Sequence, residues 1–322
     1  MKRKNKENDI PRNGALLVGA LSAVLVLLSG LSLFIGAART DAFILVQSRL
    51  PRLLALVLSG AGLSSAGIIM QRISRNRFES PETAGTMDAA TLGFVLGLVL
   101  IPGMPVFFRT LLSAACAGLG ALAFFRIIRA MGPRSEAGMP LAGMVLGTVI
   151  QGTAQVIAYR FDLIQTLSGW ISADFSLTIA GRFEILFLVV PAAALALYFA
   201  QHLTLIGMGR DTAESLGMNY ELLRGLGIGI VSLISSLTII VGGRVPFLGL
   251  IVPNMLSGIL GDHIKSLLPV AALAGASLLL AADLFGRIVI APYEMPVGLT
   301  MGIVGGCVFL RLVGRLRREQ HV

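Results

Sequence analysis

The chain has 322 residues, of which 55% are hydrophobic and only 13% are charged, and its mean hydropathy is +0.85. A soluble domain carries roughly 25% charged residues, so this chain has too little polar sequence to cover a water-facing surface. The composition excludes a soluble protein. Because the apolar runs are long and do not alternate, they predict membrane helices and not a membrane β-barrel.

Charge-free runs divide the chain into pieces of membrane-spanning size. Ten runs have at least 16 residues: 13–38, 53–71, 89–108, 110–125, 137–159, 185–209, 225–243, 245–261, 266–282 and 295–310. A helix needs about 20 residues to cross a hydrocarbon core of ~30 Å. Because several runs are shorter, we expect some helices to be tilted, broken or ended by loops buried within protein. The sequence predicts an all-α polytopic membrane protein with ten transmembrane helices in a single domain, residues 1–322.

The 26 Lys and Arg residues are distributed unevenly between the two sides of this topology. With a cytoplasmic N-terminus, 18 of them fall in cytoplasmic segments, which include the polar gap 72–88, and 8 fall outside. The eight outer residues are Arg39, Arg49, Arg52, Arg109, Arg160, Arg182, Arg244 and Arg287. This positive-inside bias predicts that both termini, residues 1–13 and 312–322, are cytoplasmic. It also accounts for the net charge of +9 without a nucleic-acid partner.

Glycines recur four residues apart within three of the predicted helices. The pairs are Gly93/Gly97, Gly143/Gly147 and Gly298/Gly302. Small residues at this spacing let helix backbones approach closely in lipid, so we expect tight helix packing. Cys116 and Cys307 also lie within predicted helices, where they are interpreted as small apolar fillers. Neither a disulfide nor a metal site is indicated.

Acidic and histidine side chains are rare in the middles of the predicted helices. Ion-coupled carriers usually keep such groups deep in the membrane, so the sequence favours a transporter that takes its energy from elsewhere. His202 lies near a cytoplasmic end and is interpreted as an interfacial residue. Asp283 and Arg287 are four residues apart on one helical face, where they can form a local ion pair.

The segment Leu205–Gly225 interrupts the apolar sequence. Asp211 and Glu214 fit a capping box, in which the Asp211 side chain accepts hydrogen bonds from amides one turn further on. We expect Gly217 to end this helix and Asn219 to cap a second short helix. The local pattern by itself fits an ordinary amphipathic helix at the membrane surface at least as well as a surface with a dedicated function.

Five segments, taken in chain order, carry a resemblance to a known family. They are RLPRLLALVLSGAGLSSAGIIMQ (Arg49–Gln71), RNRFESPETAGT (Arg75–Thr86), GRVPFLGLIVPN (Gly243–Asn254), GDHIKSLLPVAALAGASLLLAADLFGR (Gly261–Arg287) and YEMPVGLTMGIVGGCVFLRLV (Tyr293–Val313). Together they resemble the FecCD-type permeases of ATP-binding-cassette (ABC) importers, which carry ferric siderophores, haem or vitamin B12. Arg77 replaces the proline of the family's RNP loop, and Asn254 replaces the histidine of its VPH motif. The combination is similar to the branch that serves catecholate-type siderophores.

The resemblance implies a vitamin B12 permease-like, type II importer fold, in which two permease subunits enclose a pore. A related second permease is favoured as the other subunit, and a second copy of this chain is the alternative. An ABC ATPase dimer would bind the cytoplasmic face and hold ATP and Mg²⁺, because this chain has no G-x-x-x-x-G-K-[ST] phosphate loop. The chain itself would carry no catalytic residue, metal or cofactor. An extracytoplasmic siderophore-binding protein would deliver the ligand to the cytoplasmic (inner) membrane of a bacterium.

Three groups of residues take roles from the resemblance. Coupling helices at about 207–222 would contact the ATPase through Arg210, Asp211, Ala213, Glu214, Leu216, Gly217 and Asn219. Outer arginines, which are bidentate donors to carboxylates, would be presented to acidic residues of the binding protein; these are Arg49, Arg52 and Arg287. Lipid headgroups are the alternative partners for Arg49 and Arg52, and Asp283 for Arg287. The cytoplasmic gate would include Arg134, Ser135 and Met139, and the fifth and tenth predicted helices would line the pore.

The predicted function is therefore that of a permease for a ferric siderophore, driven by separate ATPase subunits. A haem or vitamin B12 permease is the alternative within the same family. An ion-coupled secondary transporter is an alternative from another class. A membrane-embedded enzyme finds no support, because no histidine-rich, paired-acid or Ser/Lys constellation lies within the predicted helices.

Overall fold

The computed structural model describes residues 12–36, 41–132, 138–261 and 263–319, and every regular element in these ranges is helical. In chain order the helices are α1 (Arg12–Phe34), α2 (Ala42–Ile44), α3 (Leu50–Ser74), α4 (Thr86–Leu100), α5 (Val106–Met131), α6 (Gly138–Arg160), α7 (Ile164–Ile171), α8 (Val189–Tyr198), α9 (Ala200–Ile206), α10 (Arg210–Ser215), α11 (Tyr220–Gly242), α12 (Leu248–Leu260), α13 (Ile264–Val289) and α14 (Val297–Glu319). A π-helical turn, Leu45–Arg49, joins α2 to α3. Short 3₁₀ turns lie at Phe175–Leu177 and Glu184–Leu188. The predicted all-α class is confirmed.

Helix length decides how many segments can cross a membrane. Six segments are long and apolar enough: Ala15–Phe34, Ala42–Ser74, Val106–Met131, Gly138–Arg160, Tyr220–Gly242 and Ile264–Val289. A seventh crossing results if Glu184–Tyr198 and Ala200–Ile206, which meet at 64°, act as one broken span. Three shorter apolar helices remain: Thr86–Leu100, Leu248–Leu260 and Val297–Arg311. The expected short and broken helices are present, and length alone supports six or seven of the ten predicted crossings.

Helix α3 lies at the centre of the bundle, where it packs against α11, α12 and α13. A Cβ at Gly60 would lie 2.5 Å from the carbonyl oxygen of Gly275, and a Cβ at Gly67 would overlap the carbonyl oxygen of Gly249. These helices therefore touch backbone to backbone. The predicted tight packing is also confirmed at positions that leave no room for a Cβ, which are Gly93, Gly97, Gly143, Gly147 and Gly298. Gly302 leaves ordinary van der Waals space.

The segment 75–85, between α3 and α4, folds into the bundle. Arg75 ends α3 with a left-handed φ of 54°, which turns the chain inward. Glu79 and Ser80 are then fully buried, and Thr83 Oγ1 donates a hydrogen bond to Glu79 Oε1 at 2.9 Å. Because these side chains are buried in the bundle, the predicted cytoplasmic gap 72–88 is not a surface loop over this stretch.

Candidate functional site

The segment 207–222, for which the resemblance predicts coupling to an ATPase, begins with a short helix that differs from the predicted capping box. Helix α10 starts at Arg210, and its N-cap residue is Gly209, with φ of +118°. Asp211 therefore lies inside the first turn, and the predicted role of its side chain as the cap is wrong. Arg210 Nε instead donates a hydrogen bond to Glu214 Oε1 at 2.7 Å. This hydrogen bond and the negative charge of Glu214 raise the pKa of Arg210 above its usual value.

A Schellman turn ends α10 at the predicted position. Gly217 has φ of +77°, and its N–H donates to the carbonyl of Glu214 at 2.9 Å. The N–H of Met218 donates to the carbonyl of Ala213 at 3.1 Å, and Ala213 is fully buried. These two bonds define the motif, in which a glycine adopts the left-handed conformation at no steric cost. The prediction that Gly217 ends the helix is confirmed.

Asn219 caps the next helix, as predicted, but that helix is not short. Its Oδ1 accepts a hydrogen bond from the N–H of Leu222 at 3.1 Å. The helix that begins here is α11, which continues for 23 residues to Gly242. The segment is therefore one small helix, a fixed turn and the first turn of a long apolar helix. The expectation of two short helices is wrong in its second half.

The surface of the coupling segment combines apolar and charged groups. Three large apolar side chains are more than half exposed: Met208 (60%), Leu216 (59%) and Leu222 (61%). Beside them, Glu221 Oε1 lies 3.4 Å from Arg210 Nη1 and 3.6 Å from Arg129 Nη2. We call Met208–Leu222 with these charges the coupling knob. Its exposed surface therefore combines large apolar side chains with ion pairs.

The arginines predicted for the outer surface are buried in this structure. Arg49, Arg52 and Arg287 are only 7%, 8% and 6% exposed. Arg49 Nη1 donates to the carbonyl of Leu33 at 2.6 Å, and Arg287 Nη1 donates to the carbonyl of Ser32 at 3.1 Å. These carbonyls belong to the last turn of α1, where helix geometry leaves them without partners of their own and the helix dipole favours cations.

Asp283 links two of these arginines, Arg52 and Arg287. Arg52 Nη2 lies 2.6 Å from Asp283 Oδ1, and Arg52 Nη1 lies 2.6 Å from Glu294 Oε2. Arg287 pairs with the other oxygen of Asp283, which confirms the local ion pair considered for these two residues. The arginines were expected to be freely presented on the outer surface. They are instead covered by the end of α1 and by the loop 290–296, which contact them. Their docking role stays a prediction.

Only part of the predicted gate can be located. Arg134 and Ser135 lie outside the described residues. Met139 is half-buried in the first turn of α6 and lines a cavity together with Phe124, Arg129 and Arg224. This places it close to the coupling knob, since Arg129 also contacts Glu221.

Sequence reasoning missed a second ionic cluster, which surrounds Arg244. Arg244 Nη1 lies 2.5 Å from Asp88 Oδ1 and 3.2 Å from Gln151 Oε1, and Arg244 Nη2 lies 3.8 Å from Glu82 Oε1. The predicted topology placed Arg244 outside and the gap 72–88 inside. Groups in contact cannot lie on opposite sides of a ~30 Å core, so that assignment is wrong here. The sequence predicts only that acidic groups are rare in the middles of the predicted helices. Glu82 and Asp88 lie outside the charge-free runs, and the fold brings both carboxylates to Arg244.

Similarity to known proteins extends over nearly the whole chain. Residues 15–315 match the FecCD transport family. The petrobactin import system permease protein YclN of Bacillus subtilis is 41% identical over 312 residues, which cover 94% of this chain and 98% of the relative. The ferric-anguibactin transport system permease protein FatD of Vibrio anguillarum is 40% identical over 266 residues, which cover 83% and 85%.

A solved structure has the same fold. It is described as an inward-facing conformation of a metal-chelate type ABC transporter, and it superposes with a TM-score of 0.78 at 22% identity, over 94% of this chain and 99% of that one. The helical bundle, the five sequence motifs and the match over residues 15–315 lead to one conclusion. The chain belongs to the FecCD transport family.

Proposed function

We propose that this chain is the permease subunit of an ABC importer that moves a ferric siderophore across the cytoplasmic membrane. Its relatives are named for petrobactin and ferric-anguibactin import, which supports a siderophore over haem or vitamin B12. The structural observation that carries the proposal is the coupling knob. It is joined through a fixed turn to α11, so a force applied to the knob is transmitted along a helix of 23 residues.

The proposed partners follow from that geometry. An ATPase dimer would receive the knob in a groove, where Met208, Leu216 and Leu222 lose their exposure to water. ATP and Mg²⁺ would be held by the ATPase. In this arrangement ten segments cross the membrane, comprising the long helices, the broken span and the three shorter helices, with both termini cytoplasmic. Residues 1–13, 207–222 and 312–322 would then share one side.

A second permease subunit would complete the pore. The outward side of α6 is apolar, with exposed fractions of 60% for Leu141, 60% for Val145 and 64% for Val149. Exposed apolar side chains also run along α14, at Leu299, Ile303 and Leu310. These are the fifth and tenth predicted helices, which the family resemblance assigns to the pore. We favour a related permease over a second copy of this chain, and the purified assembly would distinguish them by mass.

The extracytoplasmic binding protein would dock above the arginine cluster. Because Arg52 is already paired with Glu294, whose side chain is 30% exposed, a carboxylate of the binding protein would take the place of Glu294. Arg49 and Arg287 would hold the end of α1 beneath this contact. Docking would thus exchange one ion pair for another, without requiring an arginine that is free beforehand.

An ion-coupled carrier is the less favoured alternative. Asp88 and Asp283 are 3% and 1% exposed, and both carboxylates contact arginines. Each carboxylate is thus accounted for as part of an ion pair between packed helices, without a second role as an ion carrier. The paired state of these groups therefore supports an external energy source.

Reconstitution in proteoliposomes tests the proposal. The chain would be combined with its ATPase, its binding protein and, if required, its second permease, and uptake of ⁵⁵Fe-labelled siderophore would be followed. We expect uptake that needs internal ATP and is insensitive to a protonophore. Uptake that a protonophore abolishes and ATP depletion leaves unchanged would refute the function.

A pair of variants tests the knob in the same assay. Leu216→Asp would place a charge on the face that contacts the ATPase, whereas Leu177→Asp alters a leucine of similar exposure, 74%, at a 3₁₀ turn far from the knob. We expect Leu216→Asp to release the ATPase during purification and Leu177→Asp to retain it. Retention of the ATPase by both variants would remove the knob from the interface.

A further inference from the structure

Helix α11 connects the coupling knob directly to the ionic cluster around Arg244. It begins at Tyr220, after the N-cap Asn219 in the knob, and ends where the N–H of Gly243 bonds to the carbonyls of Thr238 and Ile239. Its 23 residues span about 35 Å at 1.5 Å per residue. The residue that follows this end is Arg244. Any displacement of α11 along or about its axis therefore acts on the backbone of Arg244.

The Arg244 side chain reaches two helices that are remote in sequence. It contacts Asp88 on α4 at 2.5 Å and Gln151 on α6 at 3.2 Å, both through Nη1. Its side chain is 24% exposed and that of Asp88 only 4%, so the pair lies largely out of water, where a charge-assisted hydrogen bond is strong.

The α4 partner and the segment that precedes α4 pack closely against α6. A Cβ at Gly147 would overlap the side-chain oxygen Asp88 Oδ2, and a Cβ at Gly143 would overlap the backbone carbonyl of Thr83. The Asp88 side chain is therefore in close contact with α6. Gln151 adds a direct bond from α6 to the same guanidinium.

The start of α12 also contacts the ionic cluster around Arg244, through Glu82. Glu82 Oε2 accepts a hydrogen bond from the N–H of Phe247 at 2.7 Å, where α12 begins, and its other oxygen lies 3.8 Å from Arg244 Nη2. An anionic side chain at a helix N-terminus satisfies an otherwise unpaired N–H and is favoured by the helix dipole. Arg244 and Glu82 thus set the angle between α11 and α12.

We propose that Arg244 is a positioning residue that transmits the movement of the coupling knob to the pore-side helix α6, through its bonds to Asp88 and Gln151. This inference rests on the proposed function, in which the knob is driven by an ATPase. Helix α11 also packs against α4 and α5, so the bundle does not depend on Arg244 for its assembly. In this role, a displacement of α11 moves Arg244, and the bonds of Arg244 to Asp88 and Gln151 pass the displacement on to α6.

The test compares Arg244→Gln with Arg160→Gln in the complete reconstituted transporter. Arg160 is an exposed arginine at the end of α6 and serves as the matched control. We expect Arg244→Gln to assemble with the ATPase and to hydrolyse ATP, but to transport at least tenfold less siderophore per ATP. Arg160→Gln should transport as the unmodified chain does. Equal transport per ATP in both variants, or parallel loss of hydrolysis and transport in Arg244→Gln, would overturn the proposal.

A second variant guards against misfolding. Arg244→Gln removes the cation that faces both Asp88 and Glu82. The double variant Asp88→Asn/Arg244→Gln also removes the Asp88 charge and leaves Glu82 with its hydrogen bond from the N–H of Phe247. We expect the double variant to assemble as the unmodified chain does and still to lose transport per ATP at least tenfold. Normal transport by the double variant would refute the positioning role.

Hydrogen exchange distinguishes a positioning role of Arg244 from a purely structural one. In the unmodified complex we expect ATP to change exchange in residues 138–160 as well as in the knob. In the double variant the knob should still respond, and residues 138–160 should not. A response of both regions in the double variant would contradict the proposal. Absence of ATP-driven uptake by the unmodified complex would instead refute the proposed function, so the two failures are distinguishable.

Discussion

Arg52 and Asp283 lie 231 residues apart in the sequence, yet Arg52 Nη2 and Asp283 Oδ1 are 2.6 Å apart in the interior of the bundle. Asp283 also pairs with Arg287 on its own helix, so one carboxylate compensates two buried guanidinium groups. Arg49 and Arg287 in turn satisfy carbonyls at the end of α1. These arginines, for which the family resemblance predicts docking of the binding protein, therefore also hold α1, α3 and α13 together.

Removal of the Asp283 charge should destabilise the protein. Asp283→Asn leaves two buried cations with too little compensation, and we expect a loss of about 3–5 kcal/mol in the free energy of unfolding. Glu294→Gln is the control, since Glu294 is partly exposed and its pair should contribute less than about 1 kcal/mol. Thermal unfolding in detergent measures both. Equal destabilisation by the two variants would contradict the burial argument.

The Arg52–Glu294 pair makes a prediction about docking. If a carboxylate of the binding protein displaces Glu294, then Glu294→Gln removes the competitor and should tighten docking several-fold. Because the new contact is ionic, the affinity should fall as salt concentration rises. Surface plasmon resonance with the chain in nanodiscs measures this. An affinity that is unchanged or lower in Glu294→Gln would separate Arg52 from docking.

Gly217 should matter for coupling more than for folding. Its φ of +77° is unfavourable for a side chain by roughly 1–2 kcal/mol, so Gly217→Val should distort the turn between α10 and α11. Gly225→Val is the control, since Gly225 lies within α11 and a Cβ there meets open space. We expect both variants to insert and fold. Transport per ATP should fall in Gly217→Val alone, and unchanged transport would exclude the turn from coupling.

Asn219 and Asp211 should differ in their effect on stability. Asn219→Ala removes an observed N-cap hydrogen bond and should cost about 1 kcal/mol. Asp211→Ala removes a side chain that does not cap α10, so its effect should stay within about 0.5 kcal/mol. Thermal unfolding of the two variants measures the difference. A larger loss of stability in Asp211→Ala than in Asn219→Ala would indicate that the Asp211 side chain does cap α10.

The packing of α6 on α4 is tested at Gly147. Gly147→Ala puts a methyl group where Asp88 Oδ2 lies, and overpacking of this kind should cost about 1–3 kcal/mol. Gly152→Ala is the control on the same helix, because a Cβ there has nothing within 4 Å. We expect only Gly147→Ala to lower the unfolding temperature. Equal unfolding temperatures would show that α6 is not held against Asp88.

Features that depend on local chemistry could be predicted from the amino-acid sequence. The helical membrane class follows from hydropathy, because the backbone in lipid must bond to itself. The end of α10 at Gly217 follows from the tolerance of glycine for the left-handed conformation, and the cap at Asn219 follows from the short polar side chain of asparagine. The four-residue spacing of Gly143 and Gly147 predicts close helix packing, and the sequence motifs indicate the family.

The partners of charged residues on different helices could be learned only from the folded structure. No local pattern tells that Arg244 meets Asp88, or that Arg49 and Arg287 hold the end of α1, because such pairs join residues far apart in sequence. Hydropathy places each charge outside the membrane by its cost in lipid, yet a buried charge whose partner comes from another helix escapes that cost. For this reason the segment 75–85 and Arg244 were assigned to opposite surfaces, whereas the folded chain brings them together.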